Sequence, residues 1–347
     1  MGIREEISLE NIRKAIRSPK QAIDTTLLEV GIRLPITYLN TKTTIGTNVF
    51  SRDWDVLILL DTCRVDALRE VASEYEFISD INSMRSIGGS SPEWISKTFV
   101  KEYVEDINNT AYLSVNAFSN QILVDRHHEN LSWKKTNLTS WKRTNLAYKL
   151  LSRVPTVDVS SLGRFEDLYS YEPVGEGGPL GHKEGGTPPR YVTDRAVTVN
   201  REFDFDRMIL HYLQPHPPYF ANAIQTGRDL EMHEKDWWGY LGRTGDRETI
   251  WETYLDELRY VLDDVAILLE NIDADTVAIT ADHGEAFGEY WEFGHYVGSI
   301  NPKVRNVPWA ETSAEDSGSY SPSIEPPSEG ETDSSIDSRL EALGYKM

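Results

Sequence analysis

Sulfur chemistry is nearly absent from this chain: Cys63 is its one cysteine. No intrachain disulfide can form, and neither a cysteine-rich zinc site nor a disulfide-stapled secreted fold is open to it. Long apolar runs are missing as well, since no stretch approaches the ~20 residues a membrane-spanning helix needs. The opening residues 1–20 mix Arg with Glu and lack the apolar centre of a signal peptide. Basic charge is short too. Thirty-five Lys and Arg stand against 56 Asp and Glu, a net charge of −21, which speaks against a nucleic-acid partner and for a protein kept in solution by self-repulsion. Salt at about 1 M shrinks the Debye length to roughly 3 Å and screens such repulsion, so the excess points to a halophilic source, with an ordinary acidic mesophile protein as the alternative. A soluble, cytoplasmic protein is expected; peripheral membrane attachment through the basic, helical-looking residues 12–17 is the alternative.

What is present is a set of apolar strands that end in chemistry. The stretch Thr276-Val277-Ala278-Ile279-Thr280 runs into Ala281-Asp282-His283-Gly284-Glu285, the pattern of a buried parallel strand whose carboxyl end delivers a carboxylate and an imidazole. A turn with a capping Asp is the structural alternative. Val56-Leu57-Ile58-Leu59-Leu60 ends the same way at Asp61 and passes into a loop and helix carrying Arg64. Further strands are expected at 111–115 and 207–213, the latter closing in Gln214-Pro215-His216-Pro217-Pro218, where prolines hold His216 rigidly. Open α/β sheets place their sites at such carboxyl edges.

Gly88-Gly89-Ser90-Ser91-Pro92 describes a tight loop entering a helix. A hydroxyl there meets free N–H groups that favour anions; plain N-capping by Ser90 or Ser91 competes with that reading. Residues 250–270 carry apolar side chains at three- and four-residue steps, with Asp256, Glu257, Asp263 and Asp264 expected to face away. Residues 24–52 show no firm pattern and read as an arm. The region 125–187 reads as loops with one helix near 146–151. Beyond Pro308 the composition turns to Ser, Glu, Asp, Gly and Pro, which suggests disorder or at most a wrapping loop, with the apolar end at 339–345 able to dock back on the body. The expected division is an N-terminal arm over 1–52, a catalytic domain over 53–310 and an acidic tail over 311–347.

Asp61, Ser90, Asp282 and His283 together supply two carboxylates, an imidazole and a hydroxyl. Such a set can hold a divalent cation and activate the serine against a tetrahedral phosphorus or sulfur centre. Taken with Ser90-Ser91-Pro92, His216-Pro217-Pro218-Tyr219, Asp282-His283-Gly284-Glu285 and Gly294-His295 in this order, the chain resembles the alkaline phosphatase and sulfatase superfamily. It is most similar to an archaeal sulfatase-like hydrolase/transferase branch. The resemblance implies a three-layer αβα sandwich with a largely parallel central sheet. It implies Asp61, Ser90, Asp282 and His283 as ligands of one metal ion, with Ca, Mn or Mg ahead of Zn. Ser90 takes the place of the nucleophile, with Ser91 as near rival and Cys63 as a core residue; His216 and His295 take places that touch the transferred group, and Arg64 either orients Asp61 or reaches the anion.

Two departures refine the expectation. Trp94 stands where sulfatases place the Arg that accompanies formylglycine formation, so an unmodified serine acting on phosphate esters is favoured. Gln214 and Pro218 stand where two-metal members place Asp and His, so a single metal is expected. The chain is therefore expected to be a metal-dependent phosphoesterase or phospho-group transferase acting on an anionic ester, on a sugar or lipid carrier. A sulfatase is the first alternative, and a catalytically idle domain that binds anionic glycans the second.

Overall fold

The computed structural model describes residues 34–125, 146–171, 181–182 and 186–326. The helical-looking residues 12–17, the residues 126–145 and the tail end at 339–345 lie outside them.

Nine strands are present among the described residues: β1 (Val56–Leu60), β2 (Asn82–Arg85), β3 (Thr110–Ser114), β4 (Arg164–Asp167), β5 (Arg207–Tyr212), β6 (Ala274–Thr280), β7 (Ala286–Phe287), β8 (Phe293–Gly294) and β9 (Asn306–Ala314). Seven form one sheet in the order β2-β9-β6-β1-β5-β3-β4, and β7 and β8 form a separate hairpin. From β6 to β4 all neighbours run parallel. β9 joins β6 antiparallel and β2 joins β9 antiparallel. β1 and β3 are buried at every position, as expected of strands covered on both faces.

Neighbouring residues of β5 show that helices lie on both sides. The Tyr212 hydroxyl meets Thr193 Oγ1 at 3.0 Å, on the helix Pro189–Glu202. His211, the residue before it, packs against Trp94 at 5.9 Å between rings, on the helix Ser91–Thr98. Successive side chains of a strand point to opposite faces, so these two helices sandwich the sheet. The long helix Arg247–Leu269 buries Tyr254, Leu258, Val261, Val265 and Leu268 as its periodicity predicts. Two of its acids do not face away: Glu257 and Asp264 are buried. Glu257 accepts hydrogen bonds from the backbone N–H groups of Phe220 and Ala221, and Asp264 pairs with Arg190 at 2.6 Å.

Both ends of the expected central domain extend further into structure. The arm includes the helix Leu34–Lys42, tied down where Asn40 Nδ2 donates to Ser299 O at 3.0 Å. The acidic tail begins inside the sheet, since β9 runs to Ala314. Arg201 then holds Asp316 at 2.7 Å, and buried Asp194 accepts from the Tyr320 hydroxyl and from the backbone N–H groups of Ser323 and Ile324. The segment expected to be disordered is thus docked as far as these contacts reach. No helix among the described residues is long and apolar enough to cross a membrane.

Candidate active site

The carboxyl ends of β1, β6, β5 and β3 converge on one point. Asp61 follows β1, Asp282 stands two residues past β6, His211 lies within β5 and Asn116 follows β3. The in-register pairing of Leu59 with His211 and with Thr280 sets the levels of the three central strands. Thr62 adopts a left-handed φ of 67°, a strained conformation for a β-branched residue. Its backbone N–H is 3.4 Å from Asp282 Oδ1, so the turn that presents Asp61 is braced on the second carboxylate.

Asp61, His211 and Asp282 offer ligand atoms that all lie within 4.8 Å of one another. His211 Nε2 is 3.9 Å from Asp61 Oδ2 and 3.7 Å from Asp282 Oδ2. His283 Nε2 is 3.6 Å from Asp61 Oδ1 and 3.3 Å from Asp282 Oδ2. All four side chains are buried. Asp61 Oδ1, Asp282 Oδ2 and His211 Nε2 make no hydrogen bond, although burying such an atom unpaired costs about 1–3 kcal/mol and more when it is charged. A cation among them would satisfy all three, so the residues fit the metal that the sequence implies.

Burial and the charge of Asp282 push the Asp61 carboxyl well above its usual range. Burial opposes charge on Asp282 too, but the neighbouring His283 and His211 hold it below the ordinary value. Burial lowers His283 to about 3 against the pull of Asp282, with His295 and His211 acting in the same direction as burial, so its ring is neutral. Its Nδ1 lies 3.0 Å from Gly284 O; a carbonyl only accepts, so Nδ1 carries the proton and Nε2 turns its lone pair toward the carboxylates.

Of the two adjacent hydroxyls weighed in the sequence, Ser91 is the one that meets the carboxylate and imidazole cluster. Ser91 Oγ lies 3.2 Å from His283 Nε2 and 3.4 Å from Asp61 Oδ2. Ser90, expected both as nucleophile and as metal ligand, is the residue preceding the helix, with extended backbone (φ −167°), and its buried Oγ makes no hydrogen bond. The double glycine serves packing: a Cβ on Gly88 would stand 2.4 Å from Trp94 N, and one on Gly89 2.9 Å from Tyr296 O. These approaches pull the loop under the helix end and bring Ser91 to the carboxylates.

His216 and His295 stand beside the cluster, with ring centroids 5.4 Å apart and His295 4.2 Å from His283. Burial and the flanking His295 and His283 keep His216 well below its ordinary pKa; its Nδ1 is 2.5 Å from Pro217 O. His295 goes the other way: burial disfavours its charge, but Glu285 at 3.2 Å raises it. Arg64 is committed elsewhere. Its guanidinium pairs with Asp66 at 2.6 Å and Glu289 at 3.0 Å and lies against the rings of Trp251 and Phe287; it neither bonds Asp61 nor points an available fork at an anion. Cys63 is buried, and burial raises its thiol pKa, as suits a core residue.

Sequence reasoning missed His211 and Asn116. Asn116 Nδ2 donates to Asp61 Oδ2 at 2.8 Å. His211 Nδ1 meets the Tyr112 hydroxyl at 2.9 Å, and that hydroxyl meets Ser119 Oγ at 2.8 Å. An imidazole inside an apolar strand was the available signal.

No family model matches the chain, and no curated protein does. Several solved structures are similar in fold. The soluble domain of lipooligosaccharide phosphoethanolamine transferase A from Neisseria meningitidis is 17% identical, with 75% of this chain and 76% of that one covered and a TM-score of 0.45. A putative sulfatase from Bacteroides thetaiotaomicron is 12% identical over 84% and 70% of the two chains, with a TM-score of 0.38. A protein in the alkaline phosphatase superfamily from Vibrio parahaemolyticus is 10% identical over 90% and 74%, with a TM-score of 0.37. These are likenesses of architecture, and what the cluster can do chemically follows from its own groups.

Proposed function

We propose that the chain is a metal-dependent enzyme that hydrolyses or transfers a phosphate ester, with Ser91 as its nucleophile. The observation that carries this is the placement of Ser91 Oγ against His283 and Asp61, beside three buried polar atoms that one cation would satisfy together. Asp61, Asp282 and His283 would hold the metal, with His211 as a further nitrogen donor. A set with two imidazoles favours Mn or Zn over the Ca or Mg that an oxygen-rich set would take. The bound cation would lower the pKa of the Ser91 hydroxyl and offset charge on the ester oxygens.

The chain's own residues supply the rest. Ser91 would enter as the alkoxide, its hydroxyl proton released to solvent, and Oγ forms a bond to phosphorus as the bond to the leaving oxygen breaks. His295, whose charged form Glu285 favours against burial, gives its proton to that oxygen. Water or an acceptor alcohol then surrenders a proton to His295 and attacks the phosphoserine, regenerating Ser91. His216 stands beside His295, with ring centroids 5.4 Å apart.

The sulfatase alternative lacks support from local structure. Trp94 is buried against His211 and Phe99, and Ser91 directly precedes Pro92, so the spacing of a formylglycine signature is not met at the serine that faces the pocket. Metal analysis of the purified protein, combined with turnover of matched aryl phosphate, phosphonate and sulfate esters, tests the proposal. Stoichiometric Mn or Zn with phosphate ester turnover is expected. Metal-free protein that stays inert with every added divalent cation would sink it, and dominant sulfate turnover would favour the alternative.

A further inference from the structure

Between Glu285 and His295 the chain makes a hairpin that the chemistry above does not use. β7 and β8 pair Ala286 with Gly294 and Phe287 with Phe293, so Glu285 and His295 are the feet of the hairpin. At its tip Tyr290 and Trp291 both have left-handed backbone, with φ of 54° and 57°. Each such residue costs about 1–3 kcal/mol and persists only where its surroundings impose it. The surroundings here are polar struts. Glu289 is held by Arg64 at 3.0 Å, by Arg247 at 2.8 Å and by the backbone N–H of Phe287 at 2.6 Å. Asn301 Nδ2 donates to Glu289 O, and Ser299 Oγ donates to Glu292 at 2.6 Å.

The strutted tip presents aromatic surface to solvent, with Tyr290 65% and Trp291 80% exposed. Phe293 and Trp238 are exposed as well, and the Trp238 indole lies 3.7 Å from where a Cβ on Gly294 would stand. Exposed aromatic side chains are thus present both at the tip and beside Gly294, the residue before His295. Trp291 precedes His295 by four residues, so the chain keeps the two within roughly 14 Å.

Resting on the ester-transfer reading above, we propose that Trp238, Tyr290, Trp291 and Phe293 form the subsite for the apolar face of the organic group that the anionic ester carries. The hairpin selects substrates by that group while its feet, Glu285 and His295, act on the ester. A bilayer is the other surface that exposed Trp and Tyr suit. The short chain distance from Trp291 to His295 favours a bound substrate, because one molecule can reach both.

Calorimetry on the full-length, metal-loaded protein tests this with two non-hydrolysable probes, methylphosphonate and biphenyl-4-ylphosphonate. The biphenyl probe is expected to bind roughly tenfold more tightly, the scale of one or two aromatic contacts. In the double variant Tyr290→Ala/Trp291→Ala the ratio of the two affinities falls to about one. The exposure of both side chains lets the variant fold, which its melting temperature checks. Octylphosphonate and a glucosyl C-phosphonate distinguish an acyl chain from a sugar ring as the natural source of the apolar face, and Tyr290/Trp291-dependent preference for either supports the subsite. Equal affinity for the methyl and biphenyl probes, or a preference the double variant keeps, overturns the subsite alone. Failure of every phosphonate to bind overturns the ester reading and the subsite with it. Trp291-dependent sedimentation with phosphatidylcholine vesicles, without any preference between the probes, assigns the tip to a bilayer and overturns the subsite.

Discussion

The hydroxyl of Tyr112 meets Nδ1 of His211 at 2.9 Å and continues to Ser119 Oγ at 2.8 Å. If the hydroxyl donates to Ser119, it accepts from Nδ1–H, and Nε2 then presents its lone pair to Asp61 and Asp282. A partner of this kind commonly tunes metal affinity by 10–100-fold. Tyr112→Phe is therefore expected to weaken metal retention by roughly tenfold or more in a chelator competition assay, with the fold intact. Unaltered metal affinity in both Tyr112→Phe and His211→Asn would remove His211 from the ligand set.

The choice of nucleophile rests on one residue of register. Ser91→Ala is expected to lose several orders of magnitude in kcat, whereas Ser90→Ala and Cys63→Ala keep turnover within a few fold. A dead Ser90→Ala beside an active, folded Ser91→Ala would restore the reading made from the Pro92 spacing.

Glu257 makes stability depend on pH. Burial raises its pKa from the ordinary 4.5 to about 8, against the two backbone N–H groups that favour its charged form. A carboxyl raised in the folded state binds its proton there while the unfolded chain has already released it. Its contribution is complete below pH ~4.5 and fades as pH rises through about 8. Glu257→Gln is expected to flatten the decline in urea-unfolding free energy across that window. An identical slope in the variant and the parent would show that Glu257 is not the group responsible.

Asp194 holds the segment after β9 through Tyr320, Ser323 and Ile324. Asp194→Ala strands these donors and should cost about 2–4 kcal/mol of stability, a few hydrogen bonds to a charged group. Ending the chain after Ala314 should destabilise it comparably. If the truncated protein melts at the parent temperature, the docked segment contributes nothing.

The strands that end in acids were legible because both faces of a parallel sheet demand continuous apolar runs, and Val56–Leu60 and 276–280 are such runs. The parallel centre of the sheet and the long helix follow from the same periodicities. His211 was not legible as part of the site, because its role depends on β5 lying beside β1 in a particular register. Glu257 and Asp264 look like solvent-facing acids on a helical wheel; only the packing of Phe220 and Arg190 against that helix buries them. β9 hid in a stretch whose composition turns acidic midway, since an antiparallel strand needs only one buried row and the outer residues can be Glu or Thr. The spacing to Pro92 favours Ser90, whereas the point at which the helix starts sets which hydroxyl meets the carboxylates.

The position of β1 between β5 and β6 bears on how the chain is made. β1 supplies the first carboxylate, yet the strands that flank it come from far downstream, and Thr62 meets Asp282 across 220 residues of sequence. At a synthesis rate of 5–20 residues per second, an entirely apolar strand waits roughly 10–40 s with at least one edge bare before its second neighbour is made. Productive expression should therefore depend on holding chaperones, and soluble yield should rise when translation is matched to their supply.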